Sequence, residues 1–121
     1  MKKIYAVDDE WDLLFTIKKV IEYFNDDYKV KTVDSGKKLF QKLEKEIPNL
    51  ILLDIMMPDM NGWEIFKRLK SKPEWKNIPI IFISSVVDDT SKRAASLAGD
   101  DYLEKPFTFD DLNQKIKKVI K

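Results

Sequence analysis

The sequence contains no cysteine and no histidine. Without thiols there can be no disulfide framework and no thiolate nucleophile, and without imidazole there is no Ser-His-Asp triad; zinc sites of the usual Cys/His kind are excluded with them. Any chemistry must use carboxylates, hydroxyls, lysine or a metal held through oxygen, and an all-oxygen ligand set points to magnesium or calcium. Long apolar runs are also missing. Residues 4–7 are cut off by Asp8 and Asp9, too early for a signal peptide, and residues 50–53 and 80–83 are far shorter than a membrane span. The expected location is cytoplasmic. Nor is there an excess of charge: 22 Lys+Arg against 21 Asp+Glu leave a net +1, too little for a nucleic-acid binder working by bulk charge.

What is present is enough for one folded domain. The chain has 121 residues, 44% hydrophobic and 36% charged, so it can build a core and stay in solution. Short apolar runs alternate with helical periodicity throughout. Residues 4–7 read as a strand, followed by Leu13, Leu14, Ile17, Val20, Ile21 and Phe24 at the spacing of one helix face. Residues 29–33 form the next strand, and Leu39, Phe40, Leu43 and Ile47 the next helical stripe, closed by Pro48. Residues 49–53 are almost continuously apolar, as in a central strand covered on both faces. Asn61 with Glu64 caps a third helix bearing Ile65, Phe66 and Leu69. Residues 78–83 make a fourth strand, and residues 89–98 a weak helix whose candidate core contacts are Ala94, Leu97 and Ala98. Tyr102 and Leu103 form a short last strand, and Thr108 with Asp111 caps a helix carrying Leu112, Ile116, Val119 and Ile120. Five strands alternating with five helices predict a doubly wound α/β fold with a parallel sheet, because parallel strands need crossover connections.

Ligands in such folds bind beyond the carboxyl ends of the strands. Those ends carry Asp8-Asp9-Glu10, Asp54, Ser84-Ser85 and Lys105-Pro106. Carboxylates suit a hard cation, and an ammonium with a hydroxyl suits an anion; together they suit phosphoryl transfer. Each feature has a plainer reading on its own. The three acids could merely favour a helix amino terminus, at roughly 0.3–1 kcal/mol each, and Asp54, Ser84, Tyr102 and Lys105-Pro106 could be turn or edge residues. Trp11, Trp63 and Trp75 read as packing residues at helix edges, Met56, Met57 and Met60 as loop filling, and Lys115, Lys117, Lys118 and Lys121 as a solvated helix face.

Four motifs in this order tip the balance: Val7-Asp8-Asp9-Glu10; Leu53-Asp54 with Ile55-Met56-Met57-Pro58-Asp59-Met60-Asn61-Gly62; Ser84-Ser85 after an apolar strand; and Lys105-Pro106-Phe107. Over its whole length the chain resembles the receiver domains of two-component response regulators, of the chemotaxis-regulator kind. The resemblance implies a flavodoxin-like sheet of order 2-1-3-4-5 in one receiver domain spanning residues 1–121. It implies Mg2+ as cofactor and Asp54 as the nucleophile that takes a phosphoryl group from a partner kinase's phosphohistidine. Asp9, Asp54 and the Met56 carbonyl match metal ligands, with Asp8 assisting; Ser84 matches the hydroxyl and Lys105 the cation that meet the phosphoryl oxygens. Tyr102 matches the aromatic switch that turns inward as Ser84 moves, and Lys105-Pro106 a cis-proline turn.

The implied partners are a histidine kinase or phosphotransfer protein and a downstream protein target, with no direct nucleic-acid or membrane contact. Catalysis would be limited to the domain's own phosphorylation and dephosphorylation. A constitutive docking scaffold and a small carboxylate-dependent phosphatase rank below this reading. The sequence has one residue fewer than the family pattern between Gly99 and Tyr102, and the apolar Met56 and Val86 offer nothing to orient an attacking water.

Overall fold

The computed structural model describes residues 1–57, 61–85 and 89–120. The chain runs β1 (Lys2–Val7), α1 (Trp11–Phe24), β2 (Tyr28–Val33), α2 (Gly36–Lys45), β3 (Leu50–Asp54), α3 (Gly62–Ser71), β4 (Ile80–Ser84), α4 (Asp89–Ala98), β5 (Asp101–Glu104) and α5 (Phe109–Val119). All pairings are parallel, in the order β2-β1-β3-β4-β5. This is the doubly wound flavodoxin-like sheet that the alternating pattern predicts.

Two apolar layers sandwich the sheet. On one side Leu39 and Leu43 of α2, Ile65 and Leu69 of α3, and Ala95 of α4 pack with Tyr5, Ile51, Leu53 and Phe82. On the other, Leu14, Ile17 and Ile21 of α1 and Leu112 and Ile116 of α5 pack with Ile4, Leu52 and Ile83. Successive strand residues feed opposite layers, so β3 and β4 are buried along their whole length. At roughly 1.5–3 kcal/mol for each large apolar side chain buried, these layers supply the main stabilising term. The expected caps are present: Asn61 accepts from the Glu64 amide (3.0 Å) and Thr108 from the Asp111 amide (3.1 Å).

Several local expectations are corrected. Helix α2 stops at Lys45, so Ile47 lies beyond it and is exposed. Strand β4 starts at Ile80 rather than residue 78; Pro79 has no amide to donate, whereas the Ile80 amide reaches the Asp100 carboxylate at 2.8 Å. Phe24 is exposed because α1 ends there, and buried Asn25 instead hydrogen-bonds the Ile21 carbonyl and Asn113. Among the α4 residues whose burial is described, Ala95 is buried and Ala98 packs against the core, while Ala94 and Leu97 face solvent. Just past the helix, Gly99 passes close to the sheet, where a Cβ would stand 2.7 Å from the Phe82 ring. Trp75 is buried and Trp63 packs against the core, but Trp11 does neither. Lys115 is also more than a solvated cation, since it pairs with Asp101 at 3.1 Å.

Candidate functional site

The parallel register places the polar residues together. Asp8 follows the last residue of β1, Asp54 ends β3, Ser84 ends β4 and Lys105 follows β5. Val7 pairs with Leu53, Asp54 with Ile83, and Ser84 with Glu104, so four strand tips stop at nearly one level. The Asp8 amide is tied to the Val33 carbonyl and the Lys105 amide to the Ser84 carbonyl (2.8 Å), just before the cis Lys105–Pro106 bond.

Lys105 Nζ is the hub. It lies 2.8 Å from Asp8 Oδ2, 3.3 Å from Glu10 Oε1 and 3.7 Å from Asp54 Oδ2. Asp8 Oδ1 accepts from the Glu10 amide at 3.0 Å, and Asp54 Oδ1 from the Met56 amide at 3.3 Å. Asp8 and Asp54 are each only 3% exposed. Burial pushes both carboxyls above their ordinary values, and the Asp8 charge adds to the effect on Asp54, which rises to about 7 despite Lys105. Burial alone would lower Lys105, but Asp8, Asp54 and Glu10 outweigh it and hold the ammonium above its usual value.

This balance allows a test of fit for a divalent cation. Carboxylate oxygens of Asp8, Asp9 and Glu10 come within 4.8 Å of one another, and the donors are all oxygen. Two buried carboxylates with raised proton affinity carry more negative charge than one lysine offsets. A hard cation would relieve that excess, so the residues fit magnesium.

Of the expected site residues, Asp8, Asp9, Asp54 and Lys105 gather at this crevice. Met56 is present through its amide, while its side chain projects to solvent. Ser84 is fully buried at the end of β4, and Tyr102 stands opposite Phe82 in the β4–β5 register, half-buried against the core. Pro58, Asp59, Met60 and Val86 lie outside the described residues. Two residues that the sequence reading quotes within its motifs but gives no individual role also contribute. Glu10 reaches Lys105, and Gly62 presses its backbone on the acceptor strand: its amide donates to the Ile55 carbonyl at 2.7 Å, and a Cβ there would fall 2.6 Å from the Asp54 carbonyl oxygen. The pair Asn61-Gly62 at a helix start was the available signal.

Comparison with known proteins agrees with this geometry. The family described as response regulator receiver domain matches residues 4–117. This chain belongs to that family. As a receiver domain it shares the family's role as the phosphoacceptor module of two-component systems. The transcriptional regulatory protein CrdR of Helicobacter pylori is 38% identical over 118 residues, covering 97% of this chain and 54% of that protein. The receiver domain spans about half the length, or less, of the curated relatives first matched. Among solved structures, the receiver domain of a signal transduction histidine kinase from Syntrophus aciditrophicus superposes with a TM-score of 0.88 at 26% identity, covering 99% of this chain and 90% of that one. Response regulator TrrA from Thermotoga maritima, in complex with Mg2+-BeF, gives 0.83 at 30% identity, covering 98% and 99%. Among the described residues, no helix is long and apolar enough to cross a membrane.

Proposed function

We propose that Asp54 is the phosphoacceptor and that this receiver domain draws its phosphoryl group from the phosphohistidine of a kinase or phosphotransfer protein. A carboxylate oxygen of Asp54 attacks phosphorus, the phosphorus–nitrogen bond of the donor breaks, and the electron pair leaves with the imidazole. Asp8, Asp9, Asp54 and the Met56 carbonyl would hold Mg2+, which supplies charge neutralisation for the incoming phosphoryl oxygens. Lys105 neutralises a further oxygen, and the Ser84 hydroxyl bonds another. The domain acts on its own carboxylate and turns over no external substrate.

The observation that carries this reading is the buried Asp54 carboxylate, 3.7 Å from the ammonium of Lys105, in a crevice shared with Asp8. A phosphoryl group adds about −1.5 to −2 charge, which this crevice accommodates only with cations at hand. The downstream consequence falls on α4, β5 and α5. Ala95 is the one buried residue among the α4 residues whose burial is described, so α4 can shift at small cost when Ser84 and Tyr102 rearrange. The face including Arg93 and Tyr102 would then bind a protein target in a phosphorylation-dependent way; the Lys92 side chain, expected on the same surface, lies outside what is described.

The deciding experiment is intact-mass measurement after treatment with a small phosphodonor, with and without Mg2+. A gain of one phosphoryl group that requires the metal and disappears in Asp54→Ala supports the assignment. Undiminished labelling of Asp54→Ala would refute it.

A further inference from the structure

One of the carboxylates on Lys105 comes from a position that its own helix does not explain. Glu10 is the N-cap residue of α1, yet its side chain makes no capping hydrogen bond. Glutamate is not among the residues favoured there either, since Ser, Thr, Asn and Asp have the shorter reach that meets the first helical amides. The Glu10 carboxylate turns instead across the crevice to a residue 95 positions further along the chain, with Oε1 at 3.3 Å from Lys105 Nζ.

The contact closes a ring. The Glu10 amide donates to Asp8 Oδ1 at 3.0 Å, Lys105 Nζ donates to Asp8 Oδ2 at 2.8 Å, and the same ammonium donates to the Glu10 side chain. Two of the three ammonium donors are thereby engaged on the segment after β1, while Asp54 Oδ2 stands at 3.7 Å, beyond hydrogen-bonding distance. The three carboxylates differ in how they could release the lysine. The side chains of Asp8 and Asp54 are 4% and 3% exposed, so neither can turn to water, whereas that of Glu10 is 63% exposed. An exposed ion pair is weak because solvent takes over each partner as the pair opens. Glu10 is thus the anchor that lets go first, and it pulls on the ammonium from the side facing solvent.

We infer that Glu10 is a positioning residue that holds the Lys105 ammonium on the Asp8 side of the crevice, so that the lysine must leave Glu10 to reach a phosphoryl group on Asp54. The inference rests on Asp54 being the acceptor and adds a restraint on its reactivity. A group that binds one arrangement better than another shifts the balance by that difference in affinity and by no more. Glu10 holds the lysine only in the arrangement before phosphorylation, so it slows the reaction, and removing its charge accelerates it. The weakness of an exposed pair limits the gain to about 2–5-fold in rate.

Two measurements on the full chain test this. Nitrogen-15 spectra of the lysine side chains, taken without metal or phosphodonor, read the surroundings of Lys105 directly, its signal being the one missing from Lys105→Met. Glu10→Gln should shift that signal and speed its hydrogen exchange with water. Asp12→Asn should leave it in place, because Asp12 is an exposed acid near the same helix end that is not among the carboxylates on Lys105. Initial rates of labelling by phosphoramidate at saturating Mg2+ should then rise about 2–5-fold in Glu10→Gln and stay near native in Asp12→Asn. An unmoved Lys105 signal in Glu10→Gln overturns the inference, as does labelling of that variant that is unchanged or slower. Equal acceleration by Asp12→Asn also overturns it, by making the effect one of charge on the incoming anion. A moved signal with labelling that persists in Asp54→Ala would instead refute the acceptor reading, and the restraint with it, while upholding the tether.

Discussion

The ammonium of Lys105 lies 2.8 Å from Asp8 but 3.7 Å from Asp54. The lysine is thus paired with the carboxylate that is not the proposed nucleophile, and one oxygen of Asp54 is left facing the crevice with only a long contact to a cation. Glu10, at 3.3 Å, steadies the same ammonium from the exposed side.

Replacing Lys105 with Met should therefore have two effects. It leaves two buried carboxylates without their cation, for a loss of about 1–3 kcal/mol of stability at pH 8, and it slows phosphorylation by a small phosphodonor at saturating Mg2+. Chemical denaturation and initial labelling rates read the two effects separately. An unchanged labelling rate would remove Lys105 from the mechanism.

Asp54→Asn should make the metal-free domain more stable. Burial first, and then the charge of Asp8, raise the Asp54 carboxyl to about 7, so the folded chain retains a proton that the unfolded chain has released. Its stabilising effect is complete below the ordinary carboxylate range and is lost as pH rises through about 7. In chelator, the variant should exceed the native chain by on the order of 1–4 kcal/mol at pH 8, with the difference shrinking towards pH 4. Denaturation curves at several pH values check this, and a pH-independent difference would contradict it.

Gly62→Ala should damage the site from behind. The added methyl would fall 2.6 Å from the Asp54 carbonyl oxygen and 2.7 Å from the Ile55 Cα, where only backbone could give way. A loss of about 1–3 kcal/mol is expected, with slower phosphorylation because the acceptor strand end is displaced. Gly99→Ala, which meets a ring of Phe82 at 2.7 Å, should cost stability while leaving the labelling rate nearer to native.

Met56 bears on the lifetime of the acyl phosphate. Its side chain is exposed beside Asp54 and has no group that could orient an attacking water. Met56→Asn supplies an amide there, and the phosphorylated variant should lose its phosphoryl group faster than the native chain. Time courses of intact mass decide the matter, and equal decay rates would argue against a role for the side chain.

The extent to which the sequence was informative varied with the range of the interaction. Asn61 with Glu64 and Thr108 with Asp111 were legible because a cap joins residues three apart. Strands β3 and β4 were legible because burial on both faces leaves an unbroken apolar run. Helix α4 was legible only in part: of the expected contacts Ala94, Leu97 and Ala98, Ala98 packs against the core while Ala94 and Leu97 face solvent, and Ala95 is buried instead, because its few small residues give no strong periodic stripe. Trp11 has the hydrophobicity of a packing residue, but it lies outside the arc of α1 that faces the sheet.

By itself the sequence determined the succession of strands and helices, and the acids, hydroxyl and lysine at their ends, because periodicity and capping act within a few residues. Only the tertiary structure decided that Lys105 meets Asp8 across 97 residues of chain, that Glu10 joins them, and that the rings of α1 stay outside. Those outcomes depend on the parallel register of five strands and on how helices settle over them, and no local stretch of chain encodes either.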